Sequence, residues 1–186
     1  MKQKLLLIGV TAIISIVLDQ STKYLATQYL LPRDPISWLN DFFVLTYSIN
    51  YGAFLGLGST LPENIRNFIF SGLVTVFLIG FTVYAVRDKT MTRLQNIACG
   101  LVLSGGFSNL YDRITNNGGV VDFMNMGIGG LRTGIFNIAD MAIMAGVILL
   151  LIYSSKTDSS TTDLSKSESS KTDPTAKNSI KSDAKN

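Results

Sequence analysis

Four apolar blocks, separated by polar connections, run through positions 1–153 of the chain. The first follows Met1-Lys2-Gln3-Lys4 and keeps a helical pattern from Leu5 to Leu30. The second runs from Phe68 to Val86, the third from Leu94 to Leu110, and the fourth from Ile135 to Tyr153. Crossing about 30 Å of hydrocarbon takes about 20 helical residues. Each block reaches or approaches that length once its polar ends are counted. The pattern therefore predicts four transmembrane helices.

No small-x-small cleavage site follows the first block, so it reads as a retained anchor rather than a signal peptide. Gly100, Ser104, Gly105 and Gly106 give the third block small faces for close helix packing. The connections at residues 31–67 and 111–134 are long. The segment from Trp38 to Ile49 is rich in aromatic and β-branched residues, which predicts one or two strands. Asn116-Asn117-Gly118-Gly119 has the composition of a hairpin turn. Met124 to Leu131 mixes apolar residues with Gly and Asn, as expected of a mobile interfacial segment. The fold class expected is an all-α membrane protein: four transmembrane helices, a small outward-facing β-sheet and a second outward loop. The domain is residues 1–153. Residues 154–186, built mainly of Ser, Thr, Lys and Asp, cannot bury enough apolar area to offset ordering and are expected to form a disordered cytoplasmic tail.

Charge then orients the helices. Lys2, Lys4, Arg87, Lys89, Arg93 and Lys156 fall at the ends that would share one side, which the positive-inside rule makes cytoplasmic for both termini. The net charge of +3 does not point to nucleic acid, because six of the sixteen basic residues lie in the tail among five acidic ones. The chain has no His and one Cys. A Ser-His-Asp triad, a Cys-His pair, an imidazole zinc site and an intrachain disulfide are thereby excluded, and no cofactor or metal is expected.

The remaining chemistry is carboxylate chemistry. A carboxylate in hydrocarbon costs about 2.5–3.5 kcal/mol on insertion scales, so each one in or beside a span asks for a reason. Asp19 and Lys23 are four residues apart on one helix face, a spacing that suits a salt bridge as well as the border of a site. A Ser-Lys pairing of Lys23 with Ser21 or Ser15 has the wrong helical geometry. Asn109 and Asp112 share a face if the third helix continues that far, and an Asp112–Arg113 pair would be architectural. Asp122, in Val120-Val121-Asp122-Phe123, and Asp140, one turn beyond Asn137, have no basic neighbour in sequence. Their connection returns to one membrane surface, so the two can meet there. Two carboxylates sharing a site hold a proton near neutral pH. One can then activate water while the other hydrogen-bonds a peptide carbonyl. A small proton-coupled transporter is the alternative, but its relay would need polar groups across the whole membrane thickness. A structural subunit is a second alternative, which leaves Asp122 and Asp140 without evident partners.

Five segments together resemble the bacterial lipoprotein signal peptidase (signal peptidase II) family. They are Asp19-Gln20-Ser21-Thr22-Lys23, Asn50-Tyr51-Gly52-Ala53-Phe54, Gly105-Gly106-Phe107-Ser108-Asn109-Leu110-Tyr111-Asp112-Arg113, Val120-Val121-Asp122-Phe123 and Phe136-Asn137-Ile138-Ala139-Asp140, in that order. The resemblance spans about residues 5 to 153. It implies an aspartyl endopeptidase of the cell membrane that removes signal peptides from prolipoproteins, cutting before a diacylglyceryl-modified Cys near the outer face. It makes Asp122 and Asp140 the catalytic pair. Asp19, Lys23, Asn50, Gly52, Asn109, Asp112, Arg113 and Asn137 become supporting or substrate-binding residues. The implied partners are prolipoprotein signal peptides, membrane lipid and globomycin-type inhibitors, with a monomer expected. The chain departs from the family in having Ser108 where Gly is usual, and Phe54-Leu55 after Gly52-Ala53. Gly127-Ile128-Gly129-Gly130 is a candidate lid over the substrate.

Overall fold

The computed structural model describes residues 1–52, 58 and 60–169, with side chains described to Tyr153. Met1–Leu150 form one compact unit. The elements in order are helix α1 (Lys2–Tyr29), strands β1 (Ile36–Trp38) and β2 (Phe43–Asn50), helices α2 (Glu63–Asn67), α3 (Val74–Arg87) and α4 (Arg93–Thr115), strands β3 (Val120–Ile128) and β4 (Leu131–Arg132), and helix α5 (Ile138–Ser169). A π-helical segment, Phe68–Leu73, joins α2 to α3. The run Glu63–Arg87 and α1 are each long and apolar enough to cross a membrane, and Ile138–Tyr153 is a shorter apolar helix. The chain is a multi-pass membrane protein with a helical bundle and a four-stranded open sheet.

Helix ends differ from the sequence expectation for identifiable reasons. The second block starts at Glu63 rather than Phe68, because Pro62 precedes it at the N-cap, where its lack of an N–H is harmless. The third starts at a capping box, in which the Thr92 hydroxyl accepts from Gln95 N and the Gln95 side chain accepts from Thr92 N. It runs five residues past Leu110, which keeps Asn109, Asp112 and Arg113 on helix. The fourth begins at Ile138 rather than Ile135, since Phe136 pairs with Met124 across the sheet edge. The polar tail was expected to be disordered from Ser154. Helix α5 continues through Ser169, and residues 170–186 lie outside the described residues.

Small residues set the helix packing. A Cβ on Gly105 would strike the Ala139 carbonyl and Ile143, and one on Gly146 would strike Ala98 and Val102. Helices α4 and α5 therefore approach at backbone distance. Leu78, Ala85, Cys99 and Leu103 fill the adjoining apolar core.

The sheet draws on both long connections, with order β1-β2-β3-β4 and antiparallel neighbours throughout. Ser48 pairs with Asp122 and Asn50 with Val120, and the register shifts between Leu45 and Ser48. Two expectations are corrected here. Asn116–Gly119 is not a hairpin but the C-terminal cap of α4. Asn117 adopts φ 52°, and Gly118 N donates to Arg113 O at 2.8 Å, as in a Schellman motif. Met124–Leu131 is not an irregular segment. Most of it is strand, because β2 and β4 supply partners for its backbone, and the candidate lid Gly127–Gly130 is the end of β3 with the two-residue β3–β4 turn. Ala26 and Leu30 of α1 pack with Phe123 and Met124 of β3, which seats the sheet on the end of α1.

Candidate active site

Where the sheet meets α1, α4 and α5, the carboxylates of Asp19, Asp112 and Asp122 and the Lys23 ammonium are buried together, with the half-buried Asp140 beside them. Asp19 is fully buried and Lys23 is 3% exposed. Their side chains meet at 2.8 Å, and Lys23 Nζ also reaches Asp112 Oδ2 at 2.9 Å. Its third donor goes to Asn109 Oδ1 at 2.9 Å. An ammonium has three N–H bonds, and all three are matched. The Asp19–Lys23 pair that the spacing suits is present, and it is buried inside the bundle.

The expected Asp112–Arg113 pair does not form. Consecutive helical residues point about 100° apart, so Asp112 turns toward α1 while Arg113 turns toward the Gly52 turn. Asp112 accepts from Gln20 Nε2 at 2.8 Å and from Val121 N at 3.1 Å, in addition to Lys23. Arg113 donates to Gly52 O at 3.0 Å and to Asn109 O at 3.4 Å. Gly52 N in turn donates to the Asn50 side chain at 2.9 Å, an Asx turn that fixes both residues.

Asp122 and Asp140 are joined through Asn137, which is fully buried. Asn137 Nδ2 donates to Asp122 Oδ1 at 2.7 Å. Asn137 N donates to Asp140 Oδ2 at 3.2 Å, while Asp140 N donates to Asn137 Oδ1 at 2.9 Å. That reciprocal exchange is a capping box at the start of α5, with Asn as the cap and Asp three residues on. Asn109 Nδ2 donates to the other oxygen of Asp140 at 2.9 Å, and Asn50 Nδ2 to the other oxygen of Asp122 at 2.9 Å. Both carboxylates are thus held by amides rather than by cations. Lys23 offsets the charges of Asp19 and Asp112, while Arg113 acts on Asp140 and Asp122 through space rather than through an ion pair. Burial first, and then the Asp140 charge, push the Asp122 carboxyl up to about 7 against hydrogen bonds from Asn50 and Asn137 that favour its anion.

Sequence reasoning missed two members of this cluster. The Ser108 hydroxyl donates to Asp19 Oδ2 at 2.7 Å and accepts from Gln20 Nε2 at 2.9 Å. Asp19 Oδ1 accepts from Ala139 N at 2.8 Å, which ties α1 to the first turn of α5 one residue before Asp140. The first turn of a helix offers free N–H groups, and a carboxylate is a favourable partner there. The Asp-x-x-x-Lys spacing signals the ion pair within α1, but nothing in the sequence shows that Asp19 also caps another helix. Phe54 and Leu55 lie outside the described residues.

Two apolar cavities flank Asp140. One of about 260 Å³ is lined by Met126, Phe136, Met141 and Met144 among others. The other, of about 450 Å³, is lined by Phe70, Val74, Gly106 and Ile143 and has Asn109 and Arg113 at its polar edge. An apolar slot on each side of a half-buried carboxylate suits a chain that is itself apolar.

Fold and site together place the chain among helical membrane proteins with a paired-carboxylate site, a class that includes intramembrane aspartic peptidases. More particularly, it belongs to the signal peptidase II family: the description Signal peptidase (SPase) II matches residues 11–156. The lipoprotein signal peptidase of Borrelia turicatae is 34% identical over 151 residues, covering 78% of this chain and 88% of that protein. That of Syntrophus aciditrophicus is 34% identical over 153 residues, covering 82% and 94%. A bacterial membrane enzyme solved in meso at 2.3 Å resolution superposes with TM-score 0.71 at 29% identity, covering 82% of this chain and 90% of that one. A second, at 1.9 Å, gives 0.68 at 28% identity, covering 78% and 90%.

Proposed function

We propose that this aspartyl peptidase of the signal peptidase II family removes signal peptides from diacylglyceryl-modified prolipoproteins, with Asp122 and Asp140 as its catalytic pair. The observation that carries the assignment is Asn137, whose side-chain and backbone N–H groups hold one carboxylate each. The ionised member takes a proton from water as the water oxygen attacks the peptide carbon. The protonated member donates to the carbonyl oxygen, and a proton then passes to the leaving amine as the C–N bond breaks. The products are a peptide carboxylate and a free amine on the modified Cys. Asn109, Asn50 and Asn137 orient the pair, while Asp19, Lys23 and Asp112 fix the helices that carry it. Arg113 and Gly52 border the substrate path.

In this reading α1, the run from α2 to α3, α4 and α5 each cross the cell membrane, with both termini cytoplasmic. Supporting it, the Lys4 side chain bonds the Asp88 carbonyl, so the start of α1 and the α3–α4 loop, with Lys89 in it and Arg87 and Arg93 at its ends, share one end. The carboxylates lie at the other end, near the outer face, where the sheet rests on the membrane surface. Residues 154–186 take no part in the reaction. The protein acts as a monomer, and globomycin-type inhibitors occupy the site.

Purified protein should release the signal peptide from a diacylglyceryl-modified precursor, leave the unmodified precursor uncut, and be stopped by globomycin. Equal cutting of both precursors, or cleavage at a bond away from the modified Cys, would overturn the substrate assignment.

A further inference from the structure

The two turns at one end of the sheet form a single apolar tip. Arg132 Nη1 donates to Asp41 O at 2.7 Å, and Gly127 N donates to Phe42 O at 2.9 Å, so the β1–β2 and β3–β4 turns are bonded side by side. The tip carries Trp38, Leu39, Phe42, Ile128 and Leu131, which are 42% to 85% exposed. Five large apolar side chains on adjacent turns form a patch, unlike the isolated exposed residues common on any surface. Leu39 also sits at φ 55°, a left-handed conformation unfavourable for leucine, and is 77% exposed.

We infer that this tip inserts into the headgroup zone of the bilayer that holds the helices, as an interfacial anchor for the sheet. Three observations identify lipid as its occupant. Tyr24, Leu25, Tyr29 and Leu31 at the end of α1 are also exposed, and Leu25 and Tyr29 line one apolar groove with Leu45 of the sheet. The sheet is seated on that end through Leu30 and Leu45. Phe42 is three strand residues from Leu45, so the tip stays within about 10 Å of the span, close to the thickness of the interfacial layer. The charged groups beside the patch have partners within the sheet, although Arg132 Nη2 is left without one: Asp41 accepts from the Ser37 hydroxyl, and Arg132 donates through Nε to Asn125 and through Nη1 to the Asp41 carbonyl. The mixture of Trp, Phe and aliphatic residues is the composition that favours the headgroup zone. Asp122 lies six residues back along β3, about 20 Å away, so the anchor is separate from the reacting groups. By pinning the far end of the sheet, it holds the Asn50 and Asp122 end at a fixed depth.

Trp38 is the chain's only tryptophan, so its fluorescence reports the tip directly. The full chain is placed in phosphatidylcholine vesicles carrying a nitroxide either near the head of the acyl chain or near its terminal methyl. Insertion predicts blue-shifted emission, strong quenching by the shallow label, weaker quenching by the deep one, and little quenching by aqueous iodide. Full quenching by iodide with none by either lipid label would overturn the inference. So would protection from iodide that depends on the protein-to-lipid ratio, which would mean that a second copy covers the tip. Replacing Ile128 and Leu131 together by Ser should red-shift Trp38 and restore iodide quenching, with cleavage in detergent unchanged. Unaltered lipid quenching in that variant would contradict a shared tip.

Discussion

Asn137→Ala removes the side chain that bonds the Asp122 carboxylate and caps the backbone N–H of Asp140. The structure gives its cost. The Oδ1 acceptor for Asp140 N is lost, an N-cap worth about 1 kcal/mol. The donor to Asp122 Oδ1 at 2.7 Å is lost as well, a bond to a charged or proton-sharing group worth about 1.5–3 kcal/mol. If most of that support is realised in the transition state, the barrier rises by about 3 kcal/mol and kcat falls roughly 100-fold. Because Asn137 is fully buried behind the carboxylates, KM should change far less than kcat. The assay is steady-state cleavage of a lipid-modified peptide spanning the scissile bond, with circular dichroism to confirm that helix content is retained. A folded variant whose kcat stays within roughly three-fold of the parent would refute the role given to Asn137.

Three further outcomes follow from the geometry. The Asp122 carboxyl is raised from an ordinary 3.8 to about 7, so the folded protein binds more protons than the unfolded chain between those values. That group's contribution to stability is full below the window and is lost as pH rises through about 7. Thermal midpoints in detergent should fall across that range in the parent and less so in Asp122→Asn, and kcat should drop on the same alkaline limb. Lys23→Met strands the buried Asp19 and Asp112 carboxylates and should destabilise by about 3–5 kcal/mol, read by chemical or thermal unfolding. Gly105→Val would drive side-chain atoms into the Ala139 carbonyl and Ile143, costing about 1–3 kcal/mol or more and displacing α5, with activity lost before global unfolding.

The parts of the fold legible in the sequence were those set by local pattern. The apolar blocks located the helices, because each needs only its own length of hydrocarbon. Asp122 and Asp140 stood out because neither had a cation near it in sequence, and the structure holds both by amides. What stayed hidden were pairings between distant segments. Asp112 lies beside Arg113 in sequence but pairs with Lys23 of α1, since adjacent helical positions face different neighbours. Met124–Ile128 had too much Gly and Asn to look like strand, and its strand character comes from β2 across a separation of about 80 residues. The start of α5 was legible in principle, as Asn137 and Asp140 have capping-box spacing, but Ile135-Phe136 extended the apolar run and masked it. Ser108, noted only as a departure from the family pattern, supplies a hydroxyl to Asp19 that no spacing rule could have assigned.

The most direct measurement is single-turnover cleavage of a diacylglyceryl-modified prolipoprotein by Asp122→Asn and Asp140→Asn, each variant first shown to bind globomycin or to unfold at a temperature close to that of the parent. Neither variant should release signal peptide, because each keeps the shape of the site while removing one half of the acid–base pair. Sustained turnover by either folded variant would contradict catalysis by these two carboxylates.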